Sequence, residues 1–265
     1  MADDAPTPEH VHVEFDAGVC TITFARPRKK NALTVAMYRT IVAAFAEARE
    51  RKDVRVLLIQ GSEGCFTAGN DLVDFMKAGQ TGNMGETSPV VQLLKHLVAC
   101  EKPIVAAVQG PAVGLGVTML LHCDLIYAGE SARFQMPFVN LGLCPEAASS
   151  FLLPRVMGYP RAAELILLGE RFSAEHALSC GIINQVLADE VVIEKATEVA
   201  HALAKKPPRA LRVSKQLMRD GYRKQAEETM EAELVEFAKG LTGPEAAEAM
   251  QAFFQKREPD FSKFE

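Results

Sequence analysis

Two hydrophobic periods alternate along the chain. Val19-Cys20-Thr21-Ile22-Thr23-Phe24 alternates apolar and polar positions, and with His12-Val13-Glu14-Phe15 it brackets Asp16-Ala17-Gly18, which predicts a β-hairpin. From Thr34, a residue suited to N-capping, apolar positions recur at Met37, Ile41, Phe45 and Ala48, the spacing of one helix face. The apolar runs 54–59 and 104–108 read as strands buried on both faces, with a helix expected between them over 89–99. A helix opened by glycines over 113–121 and a strand over 124–128 follow. Beyond Val186 the pattern is almost wholly helical. One stripe holds Val192, Ala196, Val199 and Leu203, and the next Ala226, Met230, Leu234 and Phe237. A third, with Ala246, Met250 and Phe253 on one face, starts at Pro244. Strand and helix in alternation, then a helical tail, argue for an α/β core with a helical C-terminal extension. No internal repeat of fixed period is visible.

Composition narrows the classes. The 265 residues, 48% hydrophobic and 24% charged, can fill a sizeable core, which excludes disordered and collagen-like chains. With 29 Lys and Arg against 34 Asp and Glu the net charge is −5, so nucleic acid is not an expected partner. The longest apolar stretch, around 112–121, is interrupted by glycines and is too short to span a membrane. Cys20, Cys65, Cys100, Cys123, Cys144 and Cys180 stand singly, several within apolar runs where a thiol is a small hydrophobe. Together with an N-terminus that has neither a secretory nor a transit signature, this predicts a reduced, cytoplasmic setting.

The chain has no HExxH, GxSxG, GxxxxGK or EF-hand loop, and its scattered histidines predict neither a metal site nor a Ser-His-Asp triad. His122, within Leu120-Leu121-His122-Cys123, reads as a satisfied core histidine. Two glycine-bearing segments, Cys65-Phe66-Thr67-Ala68-Gly69-Asn70-Asp71-Leu72 and Gln109-Gly110-Pro111-Ala112-Val113-Gly114-Leu115-Gly116, each pass from strand to helix. Such turns expose backbone N–H groups that favour negative charge, and two facing one point would form an oxyanion hole. Taken singly, each is equally a tight turn needing a flexible backbone. The basic run Arg26-Pro27-Arg28-Lys29-Lys30 reads as a solvated turn. Pro207-Pro208 with Arg209, Arg212 and Lys215 reads as a helix start with an exposed basic face, and Phe253 and Phe254 as core or interface.

Several motifs in order carry a family resemblance. Asn31-Ala32-Leu33-Thr34, Phe66-Thr67-Ala68-Gly69-Asn70-Asp71-Leu72, Lys102-Pro103-Ile104-Val105-Ala106-Ala107-Val108-Gln109-Gly110 and Cys123-Asp124-Leu125-Ile126-Tyr127-Ala128 resemble the crotonase (enoyl-CoA hydratase/isomerase) superfamily. So do Gly169-Glu170-Arg171-Phe172-Ser173-Ala174, Ala177 and Gly181-Ile182-Ile183. The resemblance covers nearly the whole chain from Val11. It implies a spiral of ββα units over residues 1–200, with 1–10 a loose tail, and a helical trimerisation region over 201–265. The assembly it implies is a homotrimer or a dimer of trimers. It implies an acyl-CoA substrate, coenzyme A being part of that substrate and no separate cofactor being needed. By motif position, the N–H groups of Ala68 and Leu115 would hold the thioester oxygen. Gly69, Asn70, Asp71 and Leu72 would line the substrate, Asn70 and Asp71 also ordering their turn through local hydrogen bonds. One or two of Arg26, Arg28 and Lys29 would meet the CoA phosphates, and Phe253 and Phe254 would approach a neighbour's CoA.

The family's hydratases use two glutamates, and in this sequence Thr118 and Phe138 stand at those positions. Neither can activate water. Pro-Phe-x-x-Leu-Gly-x-x-x-Glu, spanning 137–146, instead resembles the peroxisomal-type Δ3,Δ2-enoyl-CoA isomerases, whose single catalytic glutamate matches Glu146; 110–114 also resembles that branch. The implied activity is a 1,3-proton shift in fatty-acid β-oxidation. Glu146 would take the C2 proton and return it at C4, within an apolar surround contributed by Phe138 and Leu141 that raises its pKa and excludes water. Three other readings stand beside this one. Glu146 could be only an acidic residue favoured at a helix start after Pro145, the protein a hydratase-like enzyme acting on another acyl-CoA, or a non-catalytic acyl-CoA-binding trimer.

Overall fold

The computed structural model describes residues 10–81 and 85–264. The loose tail expected over 1–10 lies outside them up to position 9. Strands β1 (Val11–Asp16) and β2 (Val19–Phe24) pair antiparallel, with Phe15 opposite Cys20. Ala17 and Gly18, both at positive φ, form the primed turn that matches strand twist. The carbonyl of Gly18 accepts from Arg55 N at 2.7 Å, docking the hairpin on the start of the next strand.

Helix α1 (Val35–Glu50) starts where Thr34 Oγ1 accepts from Met37 N at 3.2 Å. Then follow β3 (Val56–Gln60), α2 (Leu72–Thr81), α3 (Pro89–Ala99), β4 (Ile104–Val108), β5 (Pro111–Val113) and α4 (Leu115–Thr118). A 3-10 turn over Met119–His122 leads into β6 (Leu125–Gly129) and β7 (Arg133–Gln135). Next come α5 (Ser149–Met157), α6 (Tyr159–Ala163), β8 (Phe172–Ser173), α7 (Ala174–Ser179) and β9 (Gln185–Leu187). The chain ends in α8 (Asp189–Ala204), α9 (Pro208–Asp220), α10 (Arg223–Leu241) and α11 (Pro244–Gln255).

The larger sheet has the order β1-β2-β3-β4-β6-β9 and is parallel from β2 onward. Its central strands β3 and β4 are apolar but for Gln60 at the end of β3, because both faces are covered. Leu57, Ile59, Ile104 and Ala106 enter the main core beneath α1 and α3, while Val56, Leu58, Val105 and Ala107 meet Val192, Ala196 and Ala200 of α8. The smaller sheet, β5-β7-β8, begins where the chain turns at Gly110, φ +57°; a Cβ there would stand 2.3 Å from the carbonyl oxygen of Gly64.

Strands β7 and β8 are too short to show a period in sequence. The single helix expected over 113–121 is instead a four-residue α-helix and a 3-10 turn, because Val113 is held in β5. On α11, Ala246 and Met250 are buried, but Phe253, placed with them by its spacing, is exposed.

Helix α9 bears out the expected exposed basic face at Arg209, leaves Arg212 half-buried and corrects it at Lys215. Lys215 is 3% exposed, and its Nζ donates to Asp124 Oδ2 at 2.7 Å and to the Lys102 carbonyl at 2.8 Å. Asp124 Oδ2 also accepts from Ile104 N at 2.7 Å, so one carboxylate joins the extension to the start of β4. The exposed positions of α9 include Leu217 and Met218. Among the described residues no helix is long and apolar enough to cross a membrane.

Lys215→Met is expected to cost about 3 kcal/mol in urea unfolding, because it leaves Asp124 a half-buried charge without its partner. Adding Asp124→Asn, whose amide oxygen can still accept from Ile104 N, is expected to restore most of that loss.

Candidate active site

The two glycine-bearing turns meet. Thr67 N donates to the Pro111 carbonyl at 2.9 Å and Val113 N to the Thr67 carbonyl at 3.1 Å, a parallel bridge between Thr67 and Ala112. Their approach leaves no room for side chains. A Cβ on Gly69, φ +85°, would lie 2.7 Å from the Val113 oxygen, and one on Gly116 2.6 Å from Thr67 Cγ2.

Within the first turn, Gly69 N donates to Thr67 Oγ1 at 3.0 Å and Asp71 N to the Leu33 carbonyl at 2.9 Å. The Ala68 N–H is likewise committed, to the Lys30 carbonyl at 2.9 Å, so the expectation that it holds the substrate oxygen is corrected. Among the described residues of this turn, the N–H groups without an internal partner are those of Asn70 and of Leu72, the latter at the first position of α2, where helix geometry provides no carbonyl. The Leu115 N–H lies at the first position of α4, where helix geometry provides no carbonyl for it.

Glu146 stands in the segment before α5 and is 7% exposed. Its carboxyl accepts from the hydroxyl of Thr118 on α4. Burial foremost, and the charge of Glu233, lift its pKa to about 8 against the opposing bond from Thr118. The residue at one of the hydratase glutamate positions thus serves as hydrogen-bond partner of a different glutamate.

A cavity of about 390 Å³ opens in front of Glu146, its walls including Tyr38 of α1, Asn70, Asp71, Phe75 of α2, Ser88 and Phe237 of α10. Tyr38 donates its phenol to Asn70 Oδ1, and burial holds that phenol protonated well above the usual range. Ala68 and Leu115 are not among the residues lining this cavity; the bridge between Thr67 and Ala112 joins the two turns that carry them.

Phe138 does not line the cavity either. It packs edge-on behind Phe237, ring centroids 6.5 Å apart, and so supports the apolar wall indirectly. Arg26 is turned inward, its Nη1 donating to Asp71 Oδ2 at 2.7 Å and to the Ala32 carbonyl at 3.1 Å. This corrects its expected role at a phosphate. Burial alone would raise the Asp71 carboxyl, but Arg26 and the N–H groups of Asp74 and Val73 hold it below the ordinary range. Asp71 therefore orders its turn, as expected, and caps α2, which Leu72 opens. Arg28, Lys29 and Lys30 are exposed on the adjoining surface. His122 is satisfied in the core, Nε2 lying 2.8 Å from the Ala147 carbonyl and Nδ1 3.3 Å from Arg219 Nη2.

Tyr38, Thr118 as partner of Glu146, and Glu233 escaped sequence reasoning. Two had a signal. Tyr38 lies three and seven residues before the core positions Ile41 and Phe45, and a tyrosine on a buried face needs a partner for its hydroxyl. Glu233 falls on the stripe of Ala226, Met230 and Phe237 as the one acid among apolar neighbours.

The paired turns thus leave backbone N–H groups unspent at Asn70 and Leu115, and Asn70 lines the same cavity as a buried carboxyl of raised pKa. The chain belongs to the enoyl-CoA hydratase/isomerase family, whose model matches residues 14–263, and its fold is the crotonase fold. It is 32% identical to enoyl-CoA delta isomerase 2 of Rattus norvegicus over 92% of this chain, and spans 63% of that protein's length. It is also 32% identical to 2,3-dehydroadipyl-CoA hydratase of Escherichia coli, over 92% of this chain and 94% of that one. The crystal structure of an enoyl-CoA hydratase/isomerase from Pseudoalteromonas atlantica T6c superposes with a TM-score of 0.90 at 39% identity. That match covers 95% of this chain and 99% of the other.

The raised pKa of Glu146 has a stability consequence. Folding favours its neutral form, so its contribution is full below the ordinary value of 4.5 and is lost as pH rises through about 8. Glu146→Gln, which resembles the neutral acid, is expected to melt above the wild type at about pH 9 and close to it at about pH 5, read by thermal unfolding at both pH values.

Proposed function

We propose that the protein is a Δ3,Δ2-enoyl-CoA isomerase with Glu146 as its one acid/base. The observation that carries this reading is a single buried carboxyl of raised pKa, facing the cavity beside the paired turns. Its carboxylate removes a C2 proton from a 3-enoyl-CoA. The C–H electrons pass into a dienolate whose thioester oxygen is held by the N–H groups of Asn70 and Leu115. The same carboxyl then delivers the proton to C4, C2 and C3 become the double bond, and no redox partner or resident cofactor is needed.

Hydration of a 2-enoyl-CoA needs a second group to activate water. Asp71 and Asp74 share the cavity, but Asp71 is paired with Arg26 and Asp74 Oδ2 accepts from Val35 N at 2.9 Å. The proton-shift reading is therefore preferred to the hydratase-like one. We also assign the CoA phosphates to the exposed Arg28, Lys29 and Lys30, and residues 201–265 to trimer assembly, a reading supported by the exposed Leu217, Met218 and Phe253.

With a 3-enoyl-CoA, formation of the conjugated product is expected to fall about 10²–10⁴-fold in Glu146→Gln. For the wild type, kcat/KM is expected to fall as pH drops below about 8, where Glu146 takes up its proton. Wild-type turnover by the variant would remove Glu146 from the mechanism. Lys29→Glu is expected to raise KM for the CoA ester severalfold, more at low salt than at high, with kcat retained.

A further inference from the structure

Glu146 is followed by two residues in a conformation that side chains disfavour. Ala147 and Ala148 have φ of +60° and +57°, and neither is glycine. Three groups hold this turn. The Glu146 carbonyl accepts from Ser149 N at 3.1 Å and Ser149 Oγ at 2.6 Å, and the Ala147 carbonyl lies 2.8 Å from His122 Nε2. The third group comes from the distant helix α10. Glu233 Oε2 accepts from Ala148 N at 2.6 Å, and Oε1 accepts from Ser150 N at 2.9 Å and Ser150 Oγ at 2.5 Å.

Glu233 is 7% exposed and accepts in all three of these bonds, so its ionised form is the one that fits. Without it the buried N–H of Ala148 has no acceptor, and the left-handed pair is free to relax toward ordinary backbone. We propose that Glu233 is a positioning residue: its carboxylate clamps the turn that carries Glu146 and so fixes the catalytic carboxyl over the cavity. This inference rests on the isomerase reading of Glu146.

The charge of Glu233 has a second effect. Among the described groups around Glu146, Glu233 supplies the charge that raises its basicity. Tyr38 from α1 and Cys144 on the same segment stay neutral where Glu146 titrates, the thiol being pushed up to about 11. Thr118 from α4 is uncharged. His122, behind Ala147, is pushed down to about 4 by burial and by Arg219. Removal of the Glu233 charge therefore makes Glu146 a stronger acid.

Glu233→Gln, Glu233→Asp and Ser150→Ala are compared with the wild type and Glu146→Gln, as full chains on a 3-enoyl-CoA, with circular dichroism to confirm folding. Glu233→Gln is expected to lower kcat about 10- to 100-fold with KM within about threefold, and to move the acid limb of kcat/KM to lower pH. Glu233→Asp keeps the charge but cannot reach both arms of the turn; a similar loss of kcat with the limb unmoved is expected. A folded Glu233→Gln with lower Tm but wild-type kcat and limb would overturn the proposal, leaving Glu233 a structural residue. If the Glu233 variants do not fold, Ser150→Ala decides. A drop in kcat of about threefold at unchanged KM supports the clamp, and wild-type kcat overturns it. Full activity in Glu146→Gln overturns the isomerase reading itself. An inactive Glu146→Gln beside an unaffected Glu233→Gln overturns only the clamp.

Discussion

The hydroxyl of Thr118 donates to the carboxyl of Glu146 in a place nearly closed to water, and much of the surrounding design follows from the cost of keeping a carboxyl there. A buried carboxylate without compensation would simply take up a proton. One donor and a neighbouring negative charge leave Glu146 between the two states, its pKa raised by burial to about 8. The donor is placed by α4, a helix of four residues. Leu115 opens it with a free N–H and Thr118 closes it with the hydroxyl, three residues apart and so on one face. A single helical turn thereby fixes the Leu115 N–H and the Thr118 hydroxyl that holds Glu146 relative to each other, the groups to which the proposed reading gives the oxyanion and acid/base roles.

That turn would be a poor reference point if the chain around it could shift. The helical extension supplies the bracing, and it does so with charge. Lys215 of α9 reaches Asp124 at the start of β6, Arg219 reaches His122 beside α4, and Glu233 of α10 reaches the backbone after Glu146. Buried charges of this kind are weak sources of stability, since desolvation offsets most of their attraction. They are demanding about geometry, though, because a helix that slides by one turn leaves each of them unpaired. The extension is thus registered on the core at three points, two of them next to the site.

Parallel strands and long amphipathic helices could be read from the chain because burial acts on nearly every residue of the former and on every third or fourth residue of the latter. Helix α3 occupies 89–99 and β4 occupies 104–108 as the pattern indicates. Long-range pairing left no such trace. Arg26 and Lys215 look like surface cations because their partners lie 45 and 91 residues away. The turn over 65–72 was located by its glycine, but spacing alone could not say which N–H is spent inside the turn. Ala68 donates to Lys30, whose left-handed backbone at φ +51° no local pattern foretells. Glu233 was visible as an acid on an apolar stripe, yet only the fold shows what it grips.

The same constraint bears on the choice of reaction. A 1,3-proton shift removes a proton from one carbon and adds it to another on the same face, in sequence, so a single carboxyl can serve both steps. Addition of water requires two groups acting together, one on oxygen and one on carbon. A second acid close to Glu146 and free to act would press its pKa still higher and invite water into the cavity. In this site the acids nearby are each tied: Asp71 to Arg26, Asp74 to Val35 N, and Glu233 to the turn behind Glu146. Thr118 gives Glu146 a donor without adding a charge. Among the described residues lining the cavity, Glu146 is thus the acid held by neither a cation nor a backbone N–H, which is what the proposed proton shift asks of it.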